Sequence, residues 1–353
     1  MTSMVKHDGD SYGKALVISS PDELLSSLPY VLGFTPEESI VTVPFRAGMP
    51  VARIDMPKTL RDRREAIGVL RDAYAGNARP RELVAIVCLT ADRRAAERSS
   101  RALATALAQV GVGAPMQLWA TSDRWVDLDS GAAGPRTRDT AIRVAAEATS
   151  AGFAPPAPSR QALAASLVGD HRPVSAALED ARAEAHVSGA EVEQVWAAGR
   201  FAQFEDDGLH LPDSEAARML LALGHKPIRD ALWTNMSSEN AGTHVAVWTD
   251  LTRRAPDQVR TPAASMLAFS SWLHGDGAKA WCALDRIPDD SPPYALAGLV
   301  ARLLNAAVPP QMWAEAKSAL DRSEAFVPDR PGRRDRDPAP ISSPVPDRRA
   351  PGI

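Results

Sequence analysis

The hydrophobic positions in the first third of the chain switch between helical and strand periods. Ser20-Pro21-Asp22-Glu23 opens a helix, since Ser20 can cap it, Pro21 suits its first position and Glu23 can close a capping box. Leu24, Leu25 and Leu28 form its apolar face; Pro29 is expected to kink or end it, and Gly33 to terminate the turn Tyr30-Val31-Leu32. Residues 40–43 and 51–56 then read as antiparallel strands joined through Arg46-Ala47-Gly48-Met49. Helical spacing returns over 59–75. Residues 83–89 are a continuous, β-branched apolar run, which fits a strand covered on both faces at the centre of a sheet. Ser99, Leu103, Ala106, Leu107 and Val110 share one helical face, and 116–120 with 124–128 read as a hairpin about Thr121-Ser122-Asp123. This order predicts an α/β domain, a mixed sheet with helices packed against it.

The pattern changes after residue 130. Gly131-Ala132-Ala133-Gly134-Pro135 reads as a loop, 138–150 as one helix and 154–158, with its three prolines, as a stiff linker. Beyond Ser159 only helical patterns recur. Asp213 is placed to cap a helix, Thr261-Pro262 to open one that ends at Gly275, Asp276 to open the next, and Ser291-Pro292 another. Residues 262–286 and 292–322 therefore form two successive helix pairs, spaced much like ~34-residue helical repeats but without their signature residues. The expected organisation is a flexible terminus over 1–13, the α/β domain over 14–135, a connecting helix and linker over 136–158, an all-α, helical-repeat-like domain over 159–326, and a disordered Pro/Arg-rich tail over 327–353.

Composition narrows the class. A chain of 353 residues, 45% hydrophobic and 24% charged, can bury two cores without a metal or disulfide staple. The net charge of −4 creates no long-range field for polyanions, so neither a specific nucleic acid nor an acidic membrane is an expected partner. Cys88 and Cys282 fall in apolar runs of different halves and read as buried reduced thiols. The N-terminal stretch lacks a signal-peptide pattern, and no window reaches the roughly 18 apolar residues of a membrane span. These readings predict a cytoplasmic protein.

Chemical motifs are sparse. The histidines show no ligand spacing, no CxxC or HExxH occurs, and GxxxxGK[ST], GxGxxG and GxSxG are all absent, so no metal or cofactor is predicted. Arg53 and Asp55 lie two apart on a strand and so share a face, where they could hold an anion and act as a base, or simply form a surface ion pair. Arg229 and Asp230 stand in the first turn of a short helix, as ligand-binding candidates or as a dipole-favoured cap. His274-Gly275-Asp276 reads as a proton-transfer couple or as a cationic helix end. Trp233, Trp248, Trp272, Trp281 and Trp313 could line a peptide groove or fill the helical core.

Three stretches together resemble the family catalogued as domain of unknown function 4192. They are the segment from Ser20 through Leu28-Pro29-Tyr30-Val31-Leu32-Gly33-Phe34 to Val41, then Arg53-Ile54-Asp55, then 263–284 with its Gly275-Asp276-Gly277-Ala278 turn. Arg229-Asp230 matches a further family position. Many members carry paired cysteines after the Arg-Trp that is Arg124-Trp125 here; this chain has Val126-Asp127-Leu128-Asp129-Ser130-Gly131 instead. The resemblance implies an α/β unit joined to helices and brings no activity or cofactor. The expected function is a binding or scaffold protein for a protein, peptide or small ligand. The alternatives are a carboxylate-dependent hydrolase or transferase using Asp55 and Arg53, and a nucleic-acid-associated protein acting through the Arg-rich tail.

Overall fold

A computed structural model describes residues 16–46, 49–77 and 82–325. The terminal segments and the tip of the first hairpin, with the expectations placed on them, lie outside the described residues. Helix α1 (Pro21–Leu32) begins as predicted, with the Glu23 amide donating to Ser20 Oγ at 3.2 Å; the Glu23 carboxylate accepts from Ser19 N, one residue earlier than the expected reciprocal bond. Pro29 neither ends nor splits the helix, which continues to Leu32 and closes on Gly33 at φ 74. A proline lacks only one amide bond, and burial of Leu24, Leu25 and Leu28 on the sheet holds the helix across that gap.

Strands β1 (Ser39–Pro44), β2 (Ala52–Asp55), β3 (Glu82–Leu89), β4 (Val112–Ala120), β5 (Arg124–Asp127) and β6 (Ala133–Pro135) form one mixed sheet in the order β2-β1-β3-β4-β5-β6. Only β3 and β4 run parallel. Helices α2 (Leu60–Asn77) and α3 (Arg93–Gln109) cover one face, against Val84, Ile86 and Cys88. α1 covers the other, against Ala85, Val87 and Leu89, and α4 (Arg138–Ser150) packs beside α1. β3 is thus buried on both faces, as its apolar run requires.

Two local readings are corrected. β4 begins at Val112 rather than 116, because a parallel partner for β3 continues through Gly113 and Pro115, where a turn is suggested by composition alone. Residues 133–135 form an edge strand, not a loop. The Trp125 indole lies across Gly134, where a Cβ would stand only 2.7 Å from the ring, so the glycine provides space rather than a turn.

The helical half comprises α5 (Arg160–Ala165), α6 (Arg172–Ser188), α7 (Ala190–Asp207), α8 (Asp213–Ala222), α9 (Lys226–Thr234), α10 (Ala241–Arg254), α11 (Asp257–Leu273), α12 (Gly277–Leu284), α13 (Ala295–Asn305) and α14 (Met312–Ala325). α11 starts four residues before the predicted Thr261, carrying Pro262 inside it, and α13 starts at Ala295 because Ser291-Pro292-Pro293 stays a turn. The predicted pairs α11/α12 and α13/α14 are present, yet α11 is buried on all sides from Ala263 to Leu273, so the bundle is organised around one central helix. Ser265 and Ser270 are tolerated there because each hydroxyl donates to a backbone carbonyl of its own helix.

Four of the five tryptophans singled out above, all but the half-buried Trp281, fill this core. Trp248 is fully buried, Trp233, Trp272 and Trp313 surround Phe269, and the indoles of Trp272 and Trp313 donate to Val308 O and Met236 O, both at 2.9 Å. Two bonds stitch residues 33–35 to the linker, which is therefore anchored: Thr35 N donates to Ala157 O and Ala157 N to Gly33 O, each at 2.9 Å. Phe34 enters the helical core from this pairing, while Leu32 touches both that core and the α1 side of the sheet. Among the described residues no helix is long and apolar enough to cross a membrane.

The buried His244 makes the core pH-sensitive. Its Nδ1 accepts the Trp248 indole N–H at 3.1 Å, which leaves the ring proton on Nε2, buried and without a partner among the described residues. Burial lowers its pKa from 6.5 to about 3. The unfolded ring therefore takes up a proton that the folded ring refuses. His244 costs nothing above about pH 6.5, and stability falls by up to about 1.4 kcal/mol per pH unit as pH drops toward 3. His244→Asn retains an acceptor for Trp248 and cannot titrate, so denaturant melts should show a shallower loss of stability across that window; an unchanged slope would mean the ring is not held neutral. At the junction, Gly33→Ala should cost about 1 kcal/mol of unfolding free energy through its left-handed φ of 74, since the new methyl would sit at an ordinary 3.5 Å from Asp276 Oδ1. A loss no larger than that of an exposed-helix control substitution would contradict this.

Candidate functional site

A cleft of about 760 Å³ opens at the carboxyl ends of β2 and β3 and the amino end of β1. Its size falls in the usual range for small-ligand sites, and its place beyond the strand ends is where α/β sheets commonly bind ligands. The starts of α2 and α3 form its walls: Thr59, Leu60 and Arg63 on one, Asp92, Ala95, Arg98 and Ser99 on the other. Both helices begin there, so their positive dipole ends face the cleft.

Local sequence fixes those starts. Thr59 and Asp62 cap α2 reciprocally, each side chain accepting the other's amide at 3.1 Å. Asp92 caps α3 by accepting from Ala95 N at 3.0 Å. Glu38 ties the floor together from a backbone φ of 38, a left-handed conformation that is costly for a residue with a side chain. Its carbonyl accepts from Met56 N at 2.7 Å, and its carboxylate accepts from Thr90 Oγ1 at 2.8 Å and from Ala91 N. Trp119 braces the same loop by donating its indole N–H to Thr90 O at 2.8 Å. One strained glutamate therefore sets the spacing between the end of β2 and the start of α3.

Three lining carboxylates are already engaged. Glu38 holds Thr90, Asp55 holds Arg53, and Asp92 caps α3, whereas Glu37 carries no side-chain bond among the described residues. Lys58, Arg63 and Arg98 line the cleft with no ion-pair partner among the described residues. The uncommitted side-chain charge is thus predominantly positive. Ser99 is only 1% exposed, lines the cleft, and offers a hydroxyl that has no hydrogen-bond partner among the described residues.

The four residues singled out from sequence are distributed unevenly. Arg53 and Asp55 do form a pair, at 2.6 Å, but they divide between two environments. Asp55 is 84% exposed and lines the cleft; Arg53 is 17% exposed, donates to Ser39 Oγ at 2.8 Å and lies over the Phe34 ring, 5.7 Å from its centroid. Arg229 and Asp230 belong to the helical half. Asp230 accepts from Arg229 and from the Trp233 indole at 3.0 Å, while the Arg229 guanidinium stacks 5.1 Å from the Tyr294 ring, an arrangement that ties α9 to the start of α13. Burial raises the Tyr294 phenol pKa, and the neighbouring Arg229 opposes that shift. Asp276 caps α12 through Lys279 N at 2.8 Å and stands against Gly33; the His274 ring lies beside Gly242.

Glu38, Thr90, Lys58, Arg63, Arg98 and Ser99 were not picked out from the sequence. The available signal was the buried run of β3 passing within three residues into the Asp92 cap, a strand-to-helix turn of the kind that borders ligand clefts. Cys88 is no nucleophile, because burial pushes its thiol up to about 12, and Cys282 is also buried and reduced. Among the described residues no three His, Cys, Asp or Glu side chains cluster as metal ligands.

No curated protein and no solved structure matches the chain. A family model described as a domain of unknown function (DUF4192) matches residues 21–311, a span that includes the Leu-Gly-Phe junction, the cleft and the Gly275-Asp276-Gly277 turn. The chain belongs to that family.

Proposed function

We propose that the protein binds a polar small molecule in the cleft at the end of the sheet, with the helical half as the scaffold that fixes its N-terminal junction. The observation that carries this reading is the set of lining groups that make no side-chain bond among the described residues: three cations, one carboxylate and the Ser99 hydroxyl, gathered in a concavity of about 760 Å³. Ser99 lines the cleft, and its hydroxyl, which can both donate and accept, is suited to an external partner there. The strained φ of Glu38 supports the same site, since such strain concentrates where geometry serves a ligand.

A peptide groove among the tryptophans has less support, because Trp233, Trp248, Trp272 and Trp313 belong to the helical core and are hydrogen-bonded inside it. The hydrolase or transferase reading keeps one observation in its favour, the position of Asp55 on the cleft rim. Its carboxylate is nevertheless solvated and tied to Arg53, without the enclosure a general base needs. Two buried thiols suit a reducing compartment, so the cytoplasm is the proposed location.

The test is a thermal-shift screen of charged and neutral metabolites against the native chain and Ala95→Trp, whose indole would fill the cleft from the first turn of α3. A true ligand at a hundredfold its Kd should add about 2.7 kcal/mol to the stability of the native chain and nothing to the variant. Hits that stabilise both proteins equally would remove the cleft from consideration.

A further inference from the structure

We infer that the wall between α2 and α3 is a subsite for the phosphate group of a phosphorylated small molecule, an inference that rests on the binding reading above and specifies its ligand class. Arg63 projects from the first turn of α2, Arg98 from the second turn of α3, and Lys58 from the loop that enters α2, so the cations reach the cleft from different elements. None has an ion-pair partner among the described residues, although acidic groups line the same cleft. Three of the four lining acids are spent on the fold: Glu38 on the Thr90 loop, Asp55 on Arg53, Asp92 on the α3 cap.

Ser99 supplies the second, independent indication. Its side chain is almost wholly enclosed, at 1% exposure, yet it lines the cleft and its hydroxyl makes no bond among the described residues. The next residue, Ser100, is equally buried and donates to Gln117 Oε1 at 2.7 Å, so a buried serine at this point of α3 can find a protein partner when one is supplied. A tetrahedral dianion fits this donor set better than a carboxylate does. It presents at least three acceptor oxygens to three cations and a hydroxyl, and the starts of two helices add favourable potential. The cleft is far larger than one phosphate. The remaining volume would hold the rest of the molecule, and Glu37, unpaired on the rim, would accept from its hydroxyl or amino groups.

The experiment is a titration of the full chain with inorganic phosphate, read from the Arg63 and Arg98 side-chain Nε resonances and the Ser99 amide by NMR. Acetate at matched ionic strength is the control. Phosphate should shift all three resonances saturably and acetate should not; Arg63→Gln and Arg98→Gln should each weaken binding about tenfold, as loss of one charge-assisted contact implies. Ser99→Ala should weaken it by roughly threefold to tenfold. Both glutamine changes replace cations that make no ion pair or side-chain hydrogen bond among the described residues, so an unaltered melting temperature confirms that the variants are folded. Equal shifts with acetate, or phosphate binding untouched in the arginine variants, would overturn the phosphate assignment. If the metabolite screen still yields a ligand that Ala95→Trp blocks, the cleft remains a binding site of a different ligand class; if neither phosphate nor any metabolite binds, both readings fall together.

Discussion

The architecture turns on a short stretch of backbone, residues 33–35, that leaves α1 and pairs with Ala157 before the chain enters the sheet. Gly33 adopts the left-handed conformation that ends the helix, Phe34 leaves its own half to enter the helical core, and Thr35 completes the pairing with Ala157. A protein with one core on each side of a proline-rich linker would ordinarily behave as two bodies, because few contacts cross such a boundary. Here an N-terminal aromatic is a structural member of the C-terminal core. Asp276, which starts α12, rests against Gly33 from the other side. Two of the three stretches that suggested the family therefore meet at the junction.

That junction also sets the edge of the cleft. Arg53 lies over Phe34, bonds Ser39 and holds Asp55, so a side chain that rests on the interdomain aromatic orients the carboxylate on the cleft rim. Glu38 does comparable work at the floor, joining the end of β2 to the loop before α3. The site is assembled from the ends of elements, while the sheet behind it and its helices are held by ordinary apolar packing.

This division explains which features were legible in the sequence. β3 was readable because seven consecutive apolar residues have few alternatives to a doubly covered strand, and α1 because its cap, proline and terminal glycine all agree. β6 was not, since Ala133-Gly134-Pro135 has turn composition and becomes a strand through its pairing with β5, where Gly134 leaves room for the Trp125 indole. Pro262 misplaced the start of α11 for a similar reason: tertiary burial of that helix outweighs a local start signal. Of the site, only Asp55 was found. Lys58, Arg63 and Arg98 resemble solvated helix charges until the fold brings two helix starts together, and no local pattern distinguishes Ser99 from the buried Ser100 beside it.

The most direct measurement of the central claim is native-state hydrogen exchange of β3 and α11 in the native chain and in Phe34→Ala. If residues 33–35 couple the two cores, the amides of both elements share the slowest exchange class in the native chain. Truncating Phe34 then lowers the one opening free energy through which both exchange, so α11 and β3 each lose about 3 kcal/mol of protection. A loss confined to α11, or an α11 unaffected by the truncation, would contradict the assignment of Phe34 as the link between them.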